Sequence, residues 1–194
     1  MGHDWRVALQ CVTMVLLQIM FSYLVRDFSW PMLILCAYVI SGTINHSLSL
    51  GMHEIAHNLA FGMSRPGANR ILGFITNLPL GVPASITFKK YHLEHHKYQG
   101  DEIIDADLPT EIEVKLFSSK IGKFFFILLQ PLFYGLRPII VLPKNVTPLE
   151  LVNLSIQLTF DFLIYYNFGT KSLSYLLLGT LLGLGLHPIA GMPL

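Results

Sequence analysis

Charge is what this sequence has least of. Aspartate, glutamate, lysine and arginine together make 13% of its 194 residues, against roughly 25% in ordinary soluble domains. That shortage excludes a simple soluble domain, and a net charge of +1 offers no electrostatic footprint for nucleic acid as a partner. Cysteine is scarcer still. The two present, Cys11 and Cys36, lie inside apolar stretches without ligand spacing, which excludes a disulfide framework and a cysteine-built zinc site. Internal repeats and low-complexity segments are also missing. Hydrocarbon fills the chain instead: 53% of the residues are hydrophobic, and the mean hydropathy is +0.55.

The apolar residues fall in blocks. Residues 7–25 form an uncharged run between Arg6 and Arg26, and residues 28–52 form a second. A hydrocarbon core about 30 Å thick needs about 20 helical residues, so both runs span it. Trp5 and Trp30 stand at the starts of these runs, at headgroup level, and the short Arg26–Asp27 link makes the pair a hairpin. The first run is too long for a signal-peptide core and no small-residue cleavage site follows it. Gly2 begins a myristoylation pattern that fails at Arg6, where serine or threonine is needed. Two further runs, 149–168 and 173–190, flank Lys171. Thr147 before Pro148 and Glu150 reads as a capped helix start, which puts Glu150 near the surface and leaves Asp161 as the one oddity within the run.

Between these hairpins, residues 53–148 carry ten of the 13 basic residues, which places the segment in the cytosol. Its apolar stretches, 71–88 and 124–142, are broken by proline and glycine and read as helices or loops at the interface. The predicted fold is an all-α integral membrane protein with two transmembrane hairpins, about four spans. Residues 1–52 form the first hairpin, 53–148 a cytosolic and interfacial segment, and 149–194 the second hairpin, cut short.

Five of the eight histidines occupy two short strings in that middle segment, HEIAH at 53–57 and YHLEHH at 91–96. His53 and His57 are four apart and share one helical face; His92, His95 and His96 follow the same rule at i, i+3 and i+4. Imidazole suits iron, zinc and copper, and both clusters adjoin membrane boundaries, so a metal between them lies within reach of a lipid chain. HEIAH alone also matches the zinc-protease pattern, two ligands with Glu54 as base. That reading explains two histidines, whereas a metal oxidase explains five.

The strings around these histidines carry a resemblance. NHSLSLGMHEIAHNLAFG (45–62), NLPLGVP, FKKYHLEHHKYQG (88–100), DADLPTEIE, LQPLFYGLRP and GLGLHPIAG (183–191) resemble the membrane fatty-acyl desaturase family, in its sphingolipid Δ4-desaturase (dihydroceramide desaturase) branch. The resemblance implies an oxidoreductase of the endoplasmic reticulum membrane that introduces a trans double bond into the long-chain base of dihydroceramide, giving ceramide. It implies two iron atoms, O2, and electrons from NADH through cytochrome b5 and its reductase. By position, His53 and His57 form the first histidine box, and His92, His95 and His96 the second. Glu54, Glu94, Asp101, Asp105 and Asp107 are candidates to orient the imidazoles. His46, two helical turns before His53, either assists the metal or pairs with polar groups at the end of the span. His187 stands in a shared string without a required role as ligand, and His3 is an exposed terminal residue.

The family also carries an extension before the first span and a third box, a second HxxHH, beyond the GLHP string. Neither is in this sequence, so the expectation is little or no desaturase activity from this chain alone. Two other readings stand beside it: a non-catalytic form that binds lipid or a partner, and an HExxH membrane zinc protease.

Overall fold

The computed structural model describes residues 2–189. The end of the fourth apolar run at Ala190 and the terminal residues 191–194 lie outside them, as does Met1. Among the described residues every element is helical.

The first two runs fold as expected. Helix α1 (Arg6–Leu24) continues through a 3-10 turn to Asp27. Helix α2 (Trp30–Cys36) passes through a π turn (Ala37–Ser41) into α3 (Gly42–Ala56), making one rod. These rods of 22 and 27 residues meet the length and apolarity needed to cross a membrane. They run antiparallel and are tied at mid-height by Gln18, whose Nε2 donates to the Ser41 carbonyl (3.1 Å), the Ser41 hydroxyl (2.9 Å) and Asn45 Oδ1. Gln18 is fully buried, so its amide nitrogen finds partners in this knot where no water can reach, while its Oε1 has none.

The middle segment breaks where proline and glycine said it would. Helix α4 (Pro66–Asn77) ends in a 3-10 turn (Leu78–Leu80), and α5 (Ser85–Lys97) leaves at 112° to it. Gly81 takes the left-handed turn at φ +70. Asn77 Oδ1 then accepts the Ala84 and Ser85 amides at 2.8 and 2.9 Å, capping α5. Helix α6 (Glu111–Leu116) opens on a Thr110–Glu113 capping box, and α7 (Lys120–Leu128) and α8 (Gln130–Val141) bend by 78° at their junction.

Helix α9 (Pro148–Phe168) starts with the expected Thr147–Glu150 capping box. Glu150 also accepts from Lys90 at 2.9 Å, which clamps α9 onto α5. Gly169 turns the chain into α10 (Thr170–Leu182). Here the expectation needs correction. The apolar run 173–190 is helical only to Leu182, and 13 residues rise about 20 Å, too little for a span. The helix gives way at Gly183, where it lies close on α3 (a Cβ there would stand 2.6 Å from the Gly42 carbonyl oxygen), and Gly185 then turns left-handed at φ +65. Helix α9 has the length of a span, but Asn153, Gln157 and Asp161 dilute its apolarity, and it does not meet the same test. Among the described residues two helices qualify as spans, or up to four if each bent pair counts as one. The chain is an all-helical membrane protein.

Two cores hold the rods. Leu48, Met52 and Ile55 of α3 pack with Cys11, Val15 and Leu72, and Leu33 and Ala37 pack with Ile164, Tyr175 and Leu176. The first core fixes the end of α3 against α4 and α5, where the histidines lie.

Candidate metal centre

The HEIAH string sits at the end of α3. His53 and Glu54 belong to its last turn, and His57 is its C-cap. Asn58 follows at φ +59, a left-handed position that asparagine tolerates. The Asn58 amide donates to the Ile55 carbonyl (2.9 Å) and the Leu59 amide to the Glu54 carbonyl (3.0 Å), the paired bonds of a Schellman stop. The helix therefore ends at the second imidazole. Asn58 Oδ1 also accepts from Lys89 Nζ at 2.9 Å, which draws α5 alongside.

Helix α5 presents the second string. His92 and His96 face His53 and His57, and these four imidazoles each offer a nitrogen within 4.8 Å of the others. His92 is packed from below by Phe88, one turn earlier, with rings stacked at 4.7 Å. Burial and the neighbouring His53, His96 and His57 push the His92 imidazole down to about 4, and His57 is lowered by burial and then by His53 and His96. Both are neutral at pH 7, with lone pairs free to coordinate.

The nitrogen positions fit a metal better than they fit hydrogen bonding. His92 Nε2 lies 3.0 Å from His57 Nε2 and 3.1 Å from His96 Nε2. One imidazole nitrogen carries a single in-plane proton or lone pair, so it cannot serve two such neighbours well. Metal–imidazole bonds of about 2.1 Å at right angles put adjacent nitrogens about 3.0 Å apart. The His57–His92 and His92–His96 pairs are therefore already at ligand spacing, with His53 within 4.8 Å of them.

His95 points elsewhere. Its Nδ1 lies 2.7 Å from Asp105 Oδ1 and 3.6 Å from Asp107. Its ring centre is 5.6 Å from that of His96. Asp105, its side chain 1% exposed, also accepts the Gly100 amide at 2.9 Å and the Asp107 amide at 3.0 Å. Burial alone raises this carboxyl, but those bonds outweigh it and hold it below the usual range. A carboxylate on Nδ1 fixes the tautomer and leaves Nε2 as the free donor.

The other acids divide. Glu54 stands 3.3 Å from His53 Nδ1. Glu94 is paired with Lys144, and Asp101 caps the turn at Ile103 and Ile104, so neither orients an imidazole through these bonds. His46 is apart from the four-histidine cluster, in electrostatic contact with His187, and His187 is buried against the Tyr38 carbonyl at 3.1 Å. His3 is exposed and lies over Gly62.

Sequence reasoning missed the residues that aim the histidines: Asn58, Phe88, and Arg137. Arg137 donates to Glu113 (3.0 Å) and to the Asp107 carbonyl (3.1 Å), anchoring the Asp105 loop. Asparagine directly after HEIAH was the one local signal available.

The fatty acid desaturase family matches residues 28–192. Among curated relatives, a sphingolipid delta(4)-desaturase DES1 of Drosophila melanogaster is 57% identical over 190 residues, which are 98% of this chain and 59% of that protein. The protein of the same name from Mus musculus is 50% identical over 187 residues, 96% of this chain and 57% of its own length. That of Homo sapiens is 49% identical over 180 residues, covering 93% and 56%. The chain thus spans between 56% and 59% of the length of these relatives. No solved structure matches it. Because the match runs through both histidine helices and most of the sequence, the chain belongs to the fatty acid desaturase family.

Proposed function

We propose that this chain carries the first two histidine boxes of a sphingolipid Δ4-desaturase, which converts dihydroceramide to ceramide at the endoplasmic reticulum membrane. The observation that carries the reading is the convergence of His53, His57, His92 and His96 at the end of a membrane-length rod. The relatives' shared name supplies the regiochemistry. Iron bound by these imidazoles, with O2, supplies the oxidising power that an unactivated C–H bond demands. Two hydrogens leave the alkyl chain. O2 takes four electrons, two from the carbon pair and two from NADH through cytochrome b5 and its reductase, and two waters form.

The chain's own groups position. His95, held by Asp105, contributes a fifth imidazole beside the four. Two irons need more ligands than these five imidazoles supply. The basic middle segment keeps the histidines on the cytosolic side.

Metal analysis of protein purified from membranes tests the reading. Stoichiometric iron, lost in both His53→Ala and His92→Ala, supports it. Stoichiometric zinc without iron, unaffected by His92→Ala, would replace it with the HEIAH hydrolase. In desaturase-deficient cells, iron-binding protein that supports no Δ4-unsaturated ceramide even in its full natural reading frame would sink the assigned substrate.

A further inference from the structure

The antiparallel pairing of α1 and α3 leaves a groove of about 410 Å³ between them. Its walls follow helical spacing on both sides: Val7, Gln10 and Met14 from α1, and Ser47, Leu50 and Glu54 from α3. The helices approach most closely at its floor, where a Cβ on Gly51 would stand 2.5 Å from Cys11 Sγ. Any larger residue at position 51 closes the floor or parts the helices.

The groove is polar at one end only. Because the helices are antiparallel, Val7 and Gln10 lie toward His53 and Glu54, and these four, three of them polar, form the mouth. Met14 lies level with Ser47 and Leu50 at the deep end. Ser47 is polar in name alone there, since its hydroxyl donates to the Thr43 carbonyl at 3.0 Å. From Ser47 to His53 the groove runs about 9 Å along α3. One turn deeper the Gln18–Ser41–Asn45 knot shuts the gap between the rods.

We propose that this groove seats a single alkyl chain of a membrane lipid, its polar end at Gln10 and Glu54 and its tail toward Met14. The inference rests on the desaturase reading above and assigns that site the seat of its substrate chain. Three observations point to this occupant. The mouth shares His53 with the metal cluster, so a chain lying in the groove passes the centre. The two walls belong to the rods that cross the membrane, so the groove fills from the bilayer without a path through water. Its polarity falls with depth, as a lipid's does. With the knot closing the bottom, a long tail must leave sideways past Met14, whose unbranched side chain adapts to that exit.

The test is photo-crosslinking of the full chain in membranes, using a dihydroceramide analogue with a diazirine midway along its long-chain base, and mapping adducts by mass spectrometry. Adducts on Met14 or Leu50, displaced by excess unlabelled dihydroceramide, are expected. Ser47→Trp fills the deep end and is expected to reduce them to background while bound metal stays at its original level. If that variant loses its metal, Met14→Trp takes its place, the metal again reporting an intact fold. Adducts spread over the outward-facing Leu9, Leu16 and Met20, insensitive to unlabelled lipid, overturn the proposal. Groove adducts displaced by a plain fatty acid and not by dihydroceramide keep the groove and sink the sphingolipid reading. Normal metal content without groove adducts keeps the metal centre and sinks the groove.

Discussion

The Asp105 carboxylate accepts from His95 Nδ1 and from two backbone amides in a site closed to water. Asp105→Asn keeps the shape but turns one acceptor into a donor, so His95 loses its fixed tautomer. Metal affinity is expected to fall about 10- to 100-fold, as for other outer carboxylates on ligating histidines, read by competition with a chromogenic chelator. An unchanged affinity would show that His95 takes no part in binding. Glu113 works at the same scale through charge. Burial raises its carboxyl, but the Thr110 amide and the Arg137 guanidinium outweigh burial and lower it from the ordinary 4.5. A depressed folded value means the stabilisation is complete above pH 4.5 and is lost as pH falls through the folded value. In metal-free protein the thermal midpoint is expected to hold steady from neutrality to about pH 5, then fall, and Glu113→Gln to flatten that fall. Of five acids flagged beside the histidines, spacing could not tell Asp105 from Glu94. The difference lies in the turn at Gly100, with φ +85, which folds Asp105 back onto α5 while Glu94 reaches Lys144.

Helix boundaries were legible wherever a local device sets them. Thr147 and Glu150 form the capping box their sequence announces, and the Pro79–Gly81–Pro83 string breaks the α4–α5 path as proline chemistry requires. The end of α10 was not legible. Its apolar run continues past Leu182, while the helix gives way at Gly183 and Gly185 turns left-handed at φ +65, glycines that the apolar pattern alone passes over. The end of α3 is an intermediate case, local in geometry but functional in effect. Asn58 holds a left-handed conformation that costs a β-branched residue about 1–2 kcal/mol. Asn58→Val is therefore expected to lower the thermal midpoint and loosen the metal, because it removes both the Schellman stop and the bond from Lys89. Asn58→Gly keeps the turn and loses only that bond. Equal damage from the two substitutions, measured by melting and by metal titration, would show that the helix stop does not aim His57.

Across the whole molecule, two kinds of cross-link hold the rods and the histidine helices together. Inside the bundle, Gln18 ties α1 to α3, and Asn77 ties α4 to Gln157 of α9 at 2.6 Å. These polar knots involve none of the clustered histidines. At the membrane end, α3 and α5 meet through imidazoles crowded nitrogen to nitrogen, an arrangement that an ion satisfies better than hydrogen bonds do. Bound metal adds a link between segments 35 residues apart and, at a hundredfold excess over its dissociation constant, stabilises the fold by about 2.7 kcal/mol. Removing it with a chelator should therefore act unevenly. Hydrogen exchange is expected to rise over 53–59 and 92–107, where the histidines and the Asp105 loop lose their common anchor, and to stay unchanged around Ser41 and Asn45. Acid should produce the same pattern before it unfolds the bundle, since protonated imidazole cannot coordinate. Uniform loosening of all the helices would instead make the metal a pillar of the whole fold, and the division between a self-sufficient bundle and a metal-closed histidine pair would fall.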